Sequence, residues 1–275
     1  MQLNDITVVI ATFKSEHQIF ECIDSIPVDL NILIVENSDD IEFKRKVEKY
    51  RSNVQCYLLN QNKGYGSANN FGLIKVKTKY GLLLNPDTRL TKNSLNNFFF
   101  TSSLYPNFSI IGPHQNNKEK IISNNVIEVE NIKGFAIFFN IKVFKKIFFD
   151  ENFFLYFEEI DLCKRIKNNG GSILVDPKII IDHEGGGSVK LSSAVELEKN
   201  RNWHWMWSTF YFHKKYQGFL IALIMVIPKL FTSIFKVIFY SLIFNKNLKN
   251  LYLCRLSGLF NSIIGKKSWY RPRLD

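Results

Sequence analysis

The chain has 275 residues, 46% of them hydrophobic, which is enough for one large α/β domain with a further segment. Its four cysteines are far apart and include no C-x-x-C pair, which argues against a zinc site and a disulfide framework. The formal net charge of +11 is uneven, because residues 1–198 carry 23 Lys and Arg against 24 Asp and Glu, whereas residues 199–275 carry 13 against one. This asymmetry predicts a near-neutral domain followed by a basic segment that meets an anionic partner. The first residues show no signal-peptide pattern, so we expect a reduced, cytosolic environment.

Strands and helices alternate along the first 90 residues. The predicted strands are 6–10, 31–35, 54–59 and 82–84, and the predicted helices are 15–26 and 43–50. Such a series is typical of a parallel nucleotide-binding sheet. Right-handed crossovers place the loops that follow the strands at one edge of the sheet, so we expect Thr12 and residues 36–40, 60–66 and 85–87 to converge.

Asp87 follows the apolar run 82–84 and Pro86, just past the end of a buried strand. Ligands of open α/β sheets bind at this edge. A carboxylate there, with Asn85 beside it, can hold a magnesium or manganese ion against a diphosphate. The alternative is a solvated aspartate in a turn.

A loop rich in glycine and asparagine, residues 60–72, runs into a predicted helix. Gly64 and Gly66 allow the backbone to approach a ligand, and the start of a helix attracts phosphate. An ordinary turn is the alternative, because the spacing matches neither a P-loop nor a dinucleotide fingerprint.

Weaker signals follow in the second half of the domain. The predicted elements are helix 95–104, strand 108–112, a polar excursion at 116–125, strand 132–139, helix 143–148, and strands 173–175 and 179–181. Gly134, near the start of strand 132–139, indicates either a β-bulge or the close approach of a sugar.

Three carboxylates, Glu158, Glu159 and Asp161, follow the aromatic run 153–157. They predict either an acidic first turn of a helix, which the helix dipole favours, or a carboxylate whose pKa is raised by apolar neighbours so that it acts as a base. His183 precedes three glycines and is either a metal ligand or a hydrogen-bonded structural residue, and the glycines are suited to a lid.

Taken in order, these motifs resemble the inverting glycosyltransferases of family 2, which have the GT-A fold, and especially their bacterial rhamnosyltransferase-like branch. The resemblance runs from residue 6 to residue 188 and continues weakly to residue 216. It is carried by VVIATF at 8–13, VENS at 35–38, NKGYGSANN at 62–70, LNPDT at 84–88, KGF at 133–135, YFEEIDL at 156–162, His183, and GGGS at 185–188. It implies an α/β, Rossmann-like GT-A domain over residues 1–198, with a mostly parallel sheet flanked by helices. Residues 1–90 form the nucleotide-sugar half and 91–198 the acceptor half.

The resemblance also implies a role for single residues. The implied nucleotide-sugar-binding residues are Thr12, Glu36, Asn37, Ser38, Gly64, Asn69, Asn85 and Gly134. Asp87 and His183 are the implied ligands of a divalent cation, magnesium or manganese. Glu159 is the implied catalytic base, Asp161 is the second candidate, and Glu158 lies beside them.

Two departures from the family pattern affect these assignments. Asn85 stands where the first metal-binding acid is expected, so strict dependence on a divalent cation stays open. Glu36 and Glu159 stand where aspartate is commoner, so each carboxylate reaches one methylene further.

The basic segment, residues 199–275, begins with an aromatic stretch typical of a membrane–water interface, and the apolar run 218–226 that follows is too short to span a bilayer. Pro228 and Lys229 are expected to break that run. Beyond them, Lys229, Ser233, Lys236 and Tyr240 form a polar stripe on an otherwise apolar helix, which favours a helix lying in an anionic membrane surface with its lysines toward the headgroups. A transmembrane span, a re-entrant pair and an ordinary core helix are the alternatives.

The expected function is the inverting transfer of a sugar to a lipid-linked saccharide at the cytoplasmic face of a bacterial inner membrane. The first choice of donor is dTDP-rhamnose, which would supply rhamnose. The product would be a cell-surface polysaccharide such as O-antigen or capsule. Alternatives are another donor such as a UDP-hexose or UDP-N-acetylhexosamine, a nucleotidyltransferase, and a catalytically inactive membrane scaffold. Nucleic acid is not an expected partner, because the apolar run 219–244 does not suit it.

Overall fold

In the computed structural model, residues 3–91, 93–114, 125–144, 148–185 and 194–271 are described. The chain divides into two compact units. The first comprises Met1–Asp150 and Glu159–Lys190, and the second comprises Glu151–Glu158 and Leu191–Asp275.

The first unit is an α/β domain with a mostly parallel sheet, as expected. Its strands are β1 (Ile6–Thr12), β2 (Asn31–Glu36), β3 (Val54–Leu58), β4 (Tyr80–Leu84), β5 (Thr88–Leu90), β6 (Ile110–Pro113), β7 (Ile127–Glu128), β8 (Ala136–Asn140), β9 (Ile173–Asp176) and β10 (Ile181–His183). Its helices are α1 (Glu16–Asp24), α2 (Ile41–Tyr50), α3 (Tyr65–Lys75), α4 (Ser94–Leu104) and α5 (Glu158–Asn168), and Leu3–Asp5 and Ile141–Val143 are short 3₁₀ turns.

Eight strands form the main sheet in the order β3-β2-β1-β4-β8-β6-β9-β7. The pairs β1–β2, β1–β4, β2–β3 and β6–β9 are parallel, and β8 runs antiparallel to β4 and β6. Side chains alternate between two apolar layers, so that Val8 and Ile10 pack on one face of the sheet and Val9 on the other. Both faces are covered by helices, which explains the continuous apolar runs of the parallel strands.

Helix α3 packs closely on the sheet through Gly72. A Cβ atom at this position would lie 2.4 Å from Cγ1 of Val9, so the helix fits only where it carries no side chain. This contact brings the start of α3, with its glycine-rich loop, to the carboxyl ends of β1 and β2.

The structure corrects three of the predicted elements, two strands and one helix. The strand predicted at 132–139 is Ala136–Asn140, because residues 132–135 form a loop and a turn that lead into it. The strand predicted at 179–181 is Ile181–His183, which pairs with β5 and so includes His183 itself. The helix predicted at 143–148 is replaced at its start by the 3₁₀ turn Ile141–Val143, and residues 145–147 lie outside the described part of the chain.

The second unit contains three helices, α6 (Ala194–Gln217), α7 (Phe219–Leu242) and α8 (Lys246–Ile263), together with the segment 151–158. Helices α6 and α8 cross closely, since a Cβ at Gly258 would lie 2.3 Å from the carbonyl oxygen of Trp203. Buried apolar side chains of all three helices share one core, which includes Met206, Val226 and Leu259.

The expectation that Pro228 breaks the apolar run is wrong. Helix α7 includes Pro228 and is 24 residues, or about 36 Å, long. A proline removes one backbone hydrogen bond from a helix, and here Val226 before it and Leu230 after it pack in the core of the bundle. Within the described residues it is the one helix long and apolar enough to cross a membrane, with a mean hydropathy of 2.0.

The polar stripe expected on α7 does not face outward. Ser233 is buried, and Lys229, Lys236 and Tyr240 are half-buried, with Tyr240 stacked on Tyr252 of α8. The exposed surface of the helix is apolar and includes Leu220, Ile224, Phe231, Phe235, Ile238 and Leu242. The stripe is therefore partly covered within the bundle, and the apolar residues form the exposed surface of α7.

Candidate active site

The carboxyl ends of β1 and β2 hold a buried carboxylate between two hydroxyl groups. Thr12 is paired with Glu36 in the strand register. The hydroxyl of Thr12 donates to Oε2 of Glu36 at 2.7 Å, and the hydroxyl of Ser38 donates to Oε1 at 2.7 Å. Burial raises the pKa of Glu36, and these two hydrogen bonds partly counter the rise. The arrangement presents a fixed acceptor at the sheet edge, suited to an N–H donor of a nucleobase.

Asn37 fixes the glycine-rich loop to the same edge. Its Nδ2 donates to the carbonyl of Gly64 at 3.0 Å and to Oδ1 of Asn62 at 3.1 Å, and its Oδ1 accepts from the backbone N–H of Lys63 at 2.8 Å. Gly64 has a φ of +93°, which favours glycine at this turn into α3. The start of α3 is thereby held beside β2.

Asn69 and Asn70 are neighbours on α3 with opposite surroundings. Asn70 closes two hydrogen bonds with the backbone of Phe149, at 2.8 and 2.9 Å, and so has a structural role. Asn69 is fully buried, yet neither Nδ2 nor Oδ1 has a hydrogen-bond partner among the described residues. Because unsatisfied buried amides are costly, Asn69 is suited to bind a polar ligand.

The turn after β4 also contains buried side-chain atoms that lack a hydrogen-bond partner among the described residues. Oδ1 of Asn85 and both carboxylate oxygens of Asp87 are buried without a hydrogen-bond partner in the described part of the chain. Asp87 is only 1% exposed. The backbone of Asn85 is held by Phe135, whose carbonyl accepts from its N–H at 2.8 Å, and by the hydroxyl of Thr88, which donates to its carbonyl at 2.6 Å. The turn is therefore fixed while its side-chain oxygens are left available.

His183 lies beside Asp87 because β10 pairs antiparallel with β5, opposite Thr88. Its Nε2 is 3.6 Å from Oδ2 of Asp87, too long for a hydrogen bond. Arg89 stabilises this two-stranded sheet through ion pairs with Glu184, at 3.0 Å, and with Glu21 of α1.

Asp87 and His183 could together hold a divalent cation. Across the described ranges, no group of three or more His, Cys, Asp and Glu side chains gathers in a metal-binding arrangement. Two protein ligands suit magnesium or manganese when phosphate oxygens of a substrate complete the coordination. The unpartnered carboxylate of Asp87 is the observation that fits such an ion.

Glu159 lies next to Gly134 and is partly buried. A Cβ at Gly134 would lie 3.6 Å from Cβ of Glu159 and 3.5 Å from the hydroxyl of Tyr65, which donates to the carbonyl of Gly134 at 2.6 Å. Burial raises the pKa of Glu159, and the ammonium of Lys133 opposes the rise. Glu159 therefore combines a raised pKa, as a general base needs, with a neighbouring residue that has no side chain.

Phe135 connects the two ends of this site. Its ring stacks on His183 with centroids 4.4 Å apart, and its carbonyl holds the N–H of Asn85. Gly134, the preceding residue, flanks Glu159. The loop 133–135 thus links the Asp87–His183 pair to Glu159.

The other two acids of the cluster have different surroundings. Asp161 is fully buried and forms an ion pair with Nε of Arg165 at 2.8 Å, while Arg165 also donates to the carbonyl of Phe148. Glu158 is 5% exposed and is the first residue of α5. Asp161 therefore joins α5 to the core, which makes Glu159 the better placed of the two candidate bases.

Tyr65, Phe135 and Lys133 were not assigned a role from the sequence, although all three lie within recognised motifs. Tyr65 stands between Gly64 and Gly66, and its hydroxyl donates to the backbone carbonyl of Gly134. The glycines 186 and 187 of the expected lid lie outside the described residues.

A family model described as "Glycosyl transferase family 2" matches residues 7–158, more than half of the chain. The low-salt glycan biosynthesis hexosyltransferase Agl10 of Haloferax volcanii is 26% identical over 202 residues, which span 62% of this chain and 64% of that protein. The chain thus spans less than two thirds of the length of this relative.

Solved structures of low identity share the fold. TarS of S. aureus is 18% identical, with a TM-score of 0.53 over 63% of this chain and 35% of that one, and its fragment 1–349 in complex with UDP is 16% identical, with a TM-score of 0.55 over 94% and 89%. The mannosyltransferase PcManGT from Pyrobaculum calidifontis, in complex with GDP-Man and Mn²⁺, is 12% identical, with a TM-score of 0.58 over 96% and 88%.

The structural role of Asp161 can be tested through its partner. Arg165→Met should lower the free energy of unfolding by about 3 kcal/mol, because it removes the cation paired with a buried carboxylate. Lys167→Met is the matched control on the same helix, since it breaks only solvent-accessible pairs with Glu128 and Glu130, and it should cost less than about 1 kcal/mol. Urea unfolding of both variants measures the difference, and equal values would contradict the structural assignment.

Proposed function

Since the chain belongs to glycosyl transferase family 2, we propose that it transfers a sugar from a nucleoside-diphosphate donor to a saccharide acceptor, with inversion at the anomeric carbon. The observation that carries this proposal is the placement of the unpartnered carboxylate of Asp87 at the sheet edge, joined by the loop 133–135 to Glu159. One end of this site suits a diphosphate with its cation, and the other suits an acceptor hydroxyl.

The donor binds along the carboxyl ends of β1, β2 and β4. Glu36, oriented by Thr12 and Ser38, accepts a hydrogen bond from the nucleobase. The buried amide of Asn69 supplies a donor and an acceptor to the nucleotide sugar, Oδ1 of Asn85 supplies an acceptor, and the loop at Gly64 brings backbone N–H groups to it. The sugar lies beside Glu159 and Gly134, which has no side chain.

Glu159 removes the proton from the acceptor hydroxyl as that oxygen attacks the anomeric carbon. The bond from the carbon to the diphosphate breaks on the opposite face, which inverts the configuration. Asp87 and His183 would hold the divalent cation, which neutralises the leaving diphosphate when bound.

For the donor, we propose dTDP-rhamnose first, on the strength of the motifs shared with the rhamnosyltransferase-like branch. UDP and GDP-Man, which accompany two of the similar structures, define the competing classes. A screen of dTDP-rhamnose, UDP-hexoses, UDP-N-acetylhexosamines and GDP-mannose, followed by thermal shift and donor turnover with Mn²⁺, tests the proposal. Absence of binding and turnover with every donor would reject it.

The acceptor that we propose is a lipid-linked saccharide, met at the cytoplasmic face of a membrane. The apolar surface of α7 supports this, because a soluble helix bundle rarely leaves so many large apolar side chains in water. The excess of basic residues in 199–275 favours an anionic lipid surface. We propose that α7 inserts its exposed face into one leaflet.

Glu159→Gln should lower kcat by about 10²–10⁴-fold, because the amide cannot accept the proton. Glu130→Gln, an exposed acid outside the site, is the control and should leave kcat unchanged. Full turnover by Glu159→Gln would remove this residue from the mechanism.

Lys133→Met should move the acidic limb of the pH–rate profile to higher pH, since loss of the ammonium raises the pKa of Glu159.

Asp87→Asn should have opposite effects on the metal-free and metal-bound protein. Without metal the melting temperature should rise by roughly 2–4 °C, because a buried, unpartnered charge is removed. The stabilisation that Mn²⁺ and a nucleoside diphosphate give to the native protein should disappear. Asp182→Asn, on exposed β10, is the control. An unchanged Mn²⁺ response in Asp87→Asn would place the cation elsewhere.

Membrane binding can be tested by substitutions that leave the chain at full length. Changing exposed apolar residues of α7 to serine should weaken binding to vesicles containing anionic lipid more than tenfold, since each buried side chain contributes about 1.5–3 kcal/mol. The substituted residues are Phe231, Phe235 and Ile238, and the control set, equally exposed on the first unit, is Ile74, Phe100 and Leu104. Equal cosedimentation of both triple variants would refute the assignment to α7.

A further inference from the structure

The last described residues of the chain, 266–271, follow α8 and contact α6, and we call them the strap. We propose that this C-terminal strap positions the aromatic segment 153–157, which leads directly into the acids at the start of α5, and that Arg271 is a positioning residue for the transfer reaction. The inference rests on the proposed function, because it assigns the strap a role in aligning the base.

The strap is fixed to α6 by hydrogen bonds from buried side chains. The indole N–H of Trp207 donates to the carbonyl of Lys266 at 3.0 Å. His204 is fully buried, with Nε2 at 2.7 Å from the carbonyl of Tyr270 and Nδ1 at 2.9 Å from the hydroxyl of Ser268. A carbonyl only accepts, so Nε2 carries the proton and Nδ1 accepts from Ser268.

This imidazole does not change its charge over the working pH range. Burial lowers the pKa of His204 to about 3, so the ring stays neutral and both hydrogen bonds persist. Trp203, also buried, stacks on Tyr270 with centroids 5.8 Å apart. The strap is therefore held by specific polar and aromatic contacts along most of its length.

The same residues grip the aromatic segment. Phe154 stacks on His204 at 4.4 Å, and the guanidinium of Arg271 lies 3.7 Å from the centre of the Phe154 ring, a cation–π contact. The hydroxyl of Ser208 donates to the carbonyl of Leu155 at 2.9 Å. Arg271 thus contacts the segment itself, and His204 connects that contact to α6.

The segment requires such support because its end is strained. Tyr156 and Phe157 both have left-handed backbone conformations, with φ of +69° and +72°. Each costs about 1–2 kcal/mol for a bulky L-residue, so the surroundings must impose them. Trp205 contacts both rings at 5.4 Å, and Phe212 contacts Phe157 at 5.2 Å.

The strained pair directly precedes α5, whose first two residues are Glu158 and Glu159. A shift of about 1 Å in a catalytic group can reduce the rate by about 10²-fold. Loosening of the segment should therefore lower kcat, while the nucleotide-binding residues of β1, β2 and β4 are unaffected.

The test compares three full-length variants in detergent. Arg271→Ala removes the guanidinium from Phe154, Arg271→Lys retains a cation, and Lys267→Ala removes one positive charge from an exposed position of the same strap. Each variant is assayed for kcat, donor KM and melting temperature. Limited digestion with chymotrypsin, mapped by mass spectrometry, reports access to the aromatic residues 153–157 independently of activity.

We expect Arg271→Ala to lower kcat about tenfold with donor KM changed less than twofold, and to increase cleavage within 153–157. Arg271→Lys should recover part of kcat, and Lys267→Ala should behave as the native protein. Equal losses in Arg271→Ala and Lys267→Ala would overturn the inference, as would native kcat and native cleavage in Arg271→Ala.

The failure of the proposed function gives a different pattern. If the native protein turns over no donor but Arg271→Ala still exposes residues 153–157 to chymotrypsin, the strap is confirmed as the support of the segment and the transferase assignment is lost. If cleavage is also unchanged, the strap inference fails on its own evidence.

Discussion

A buried carboxylate without a partner is the constraint on which the active site depends. Both oxygens of Asp87 are enclosed and have no hydrogen-bond partner among the described residues, and a charge in such a position lowers stability unless a ligand compensates it. The surrounding structure is rigid: Thr88 and Phe135 hold the backbone of Asn85, and Arg89 ties β5 and β10 together through Glu184. We propose that this rigidity keeps the site ready for a cation with its diphosphate, whose binding would compensate the carboxylate of Asp87.

Three carboxylates of the same domain show how partners decide roles. Each carboxylate oxygen of Glu36 accepts a hydrogen bond from a hydroxyl group. These bonds fix the carboxylate, which suits it to bind a ligand rather than to react. Asp161 is neutralised by Arg165 and joins α5 to the core. Burial raises the pKa of Glu159, a backbone hydrogen bond and the ammonium of Lys133 oppose the rise, and Gly134 lies beside it without a side chain. Residue type alone would not separate these three acids, whereas their neighbours do.

The sequence predicted the parallel strands well, because residues buried on both faces of a sheet form continuous apolar runs that end in polar loops. Thr12, Glu36 and Asp87 were predicted to lie at the sheet edge for this reason, since each follows or ends such a run. The pairing of β10 with β5 could not be predicted, because it joins residues about 95 positions apart and its three residues have no apolar pattern. Pro228 was misread because the packing that keeps α7 continuous comes from α6 and α8, which a local rule does not see. The left-handed Tyr156 and Phe157 are likewise imposed by the distant Trp205 and Phe212.

The C-terminal unit combines two features that a truncation would remove together. Its helix α7 exposes apolar side chains on the outside of the bundle, and its last residues hold the segment that enters α5. A chain shortened before α7 would lose Arg271 and the hydrogen bonds of His204 along with the apolar surface. If the strap has the proposed role, loss of turnover in such a chain would follow from a displaced Glu159 even where membrane contact has no part in catalysis. Only substitutions on the exposed face of α7, which leave the strap intact, can separate the membrane contact from the alignment of Glu159.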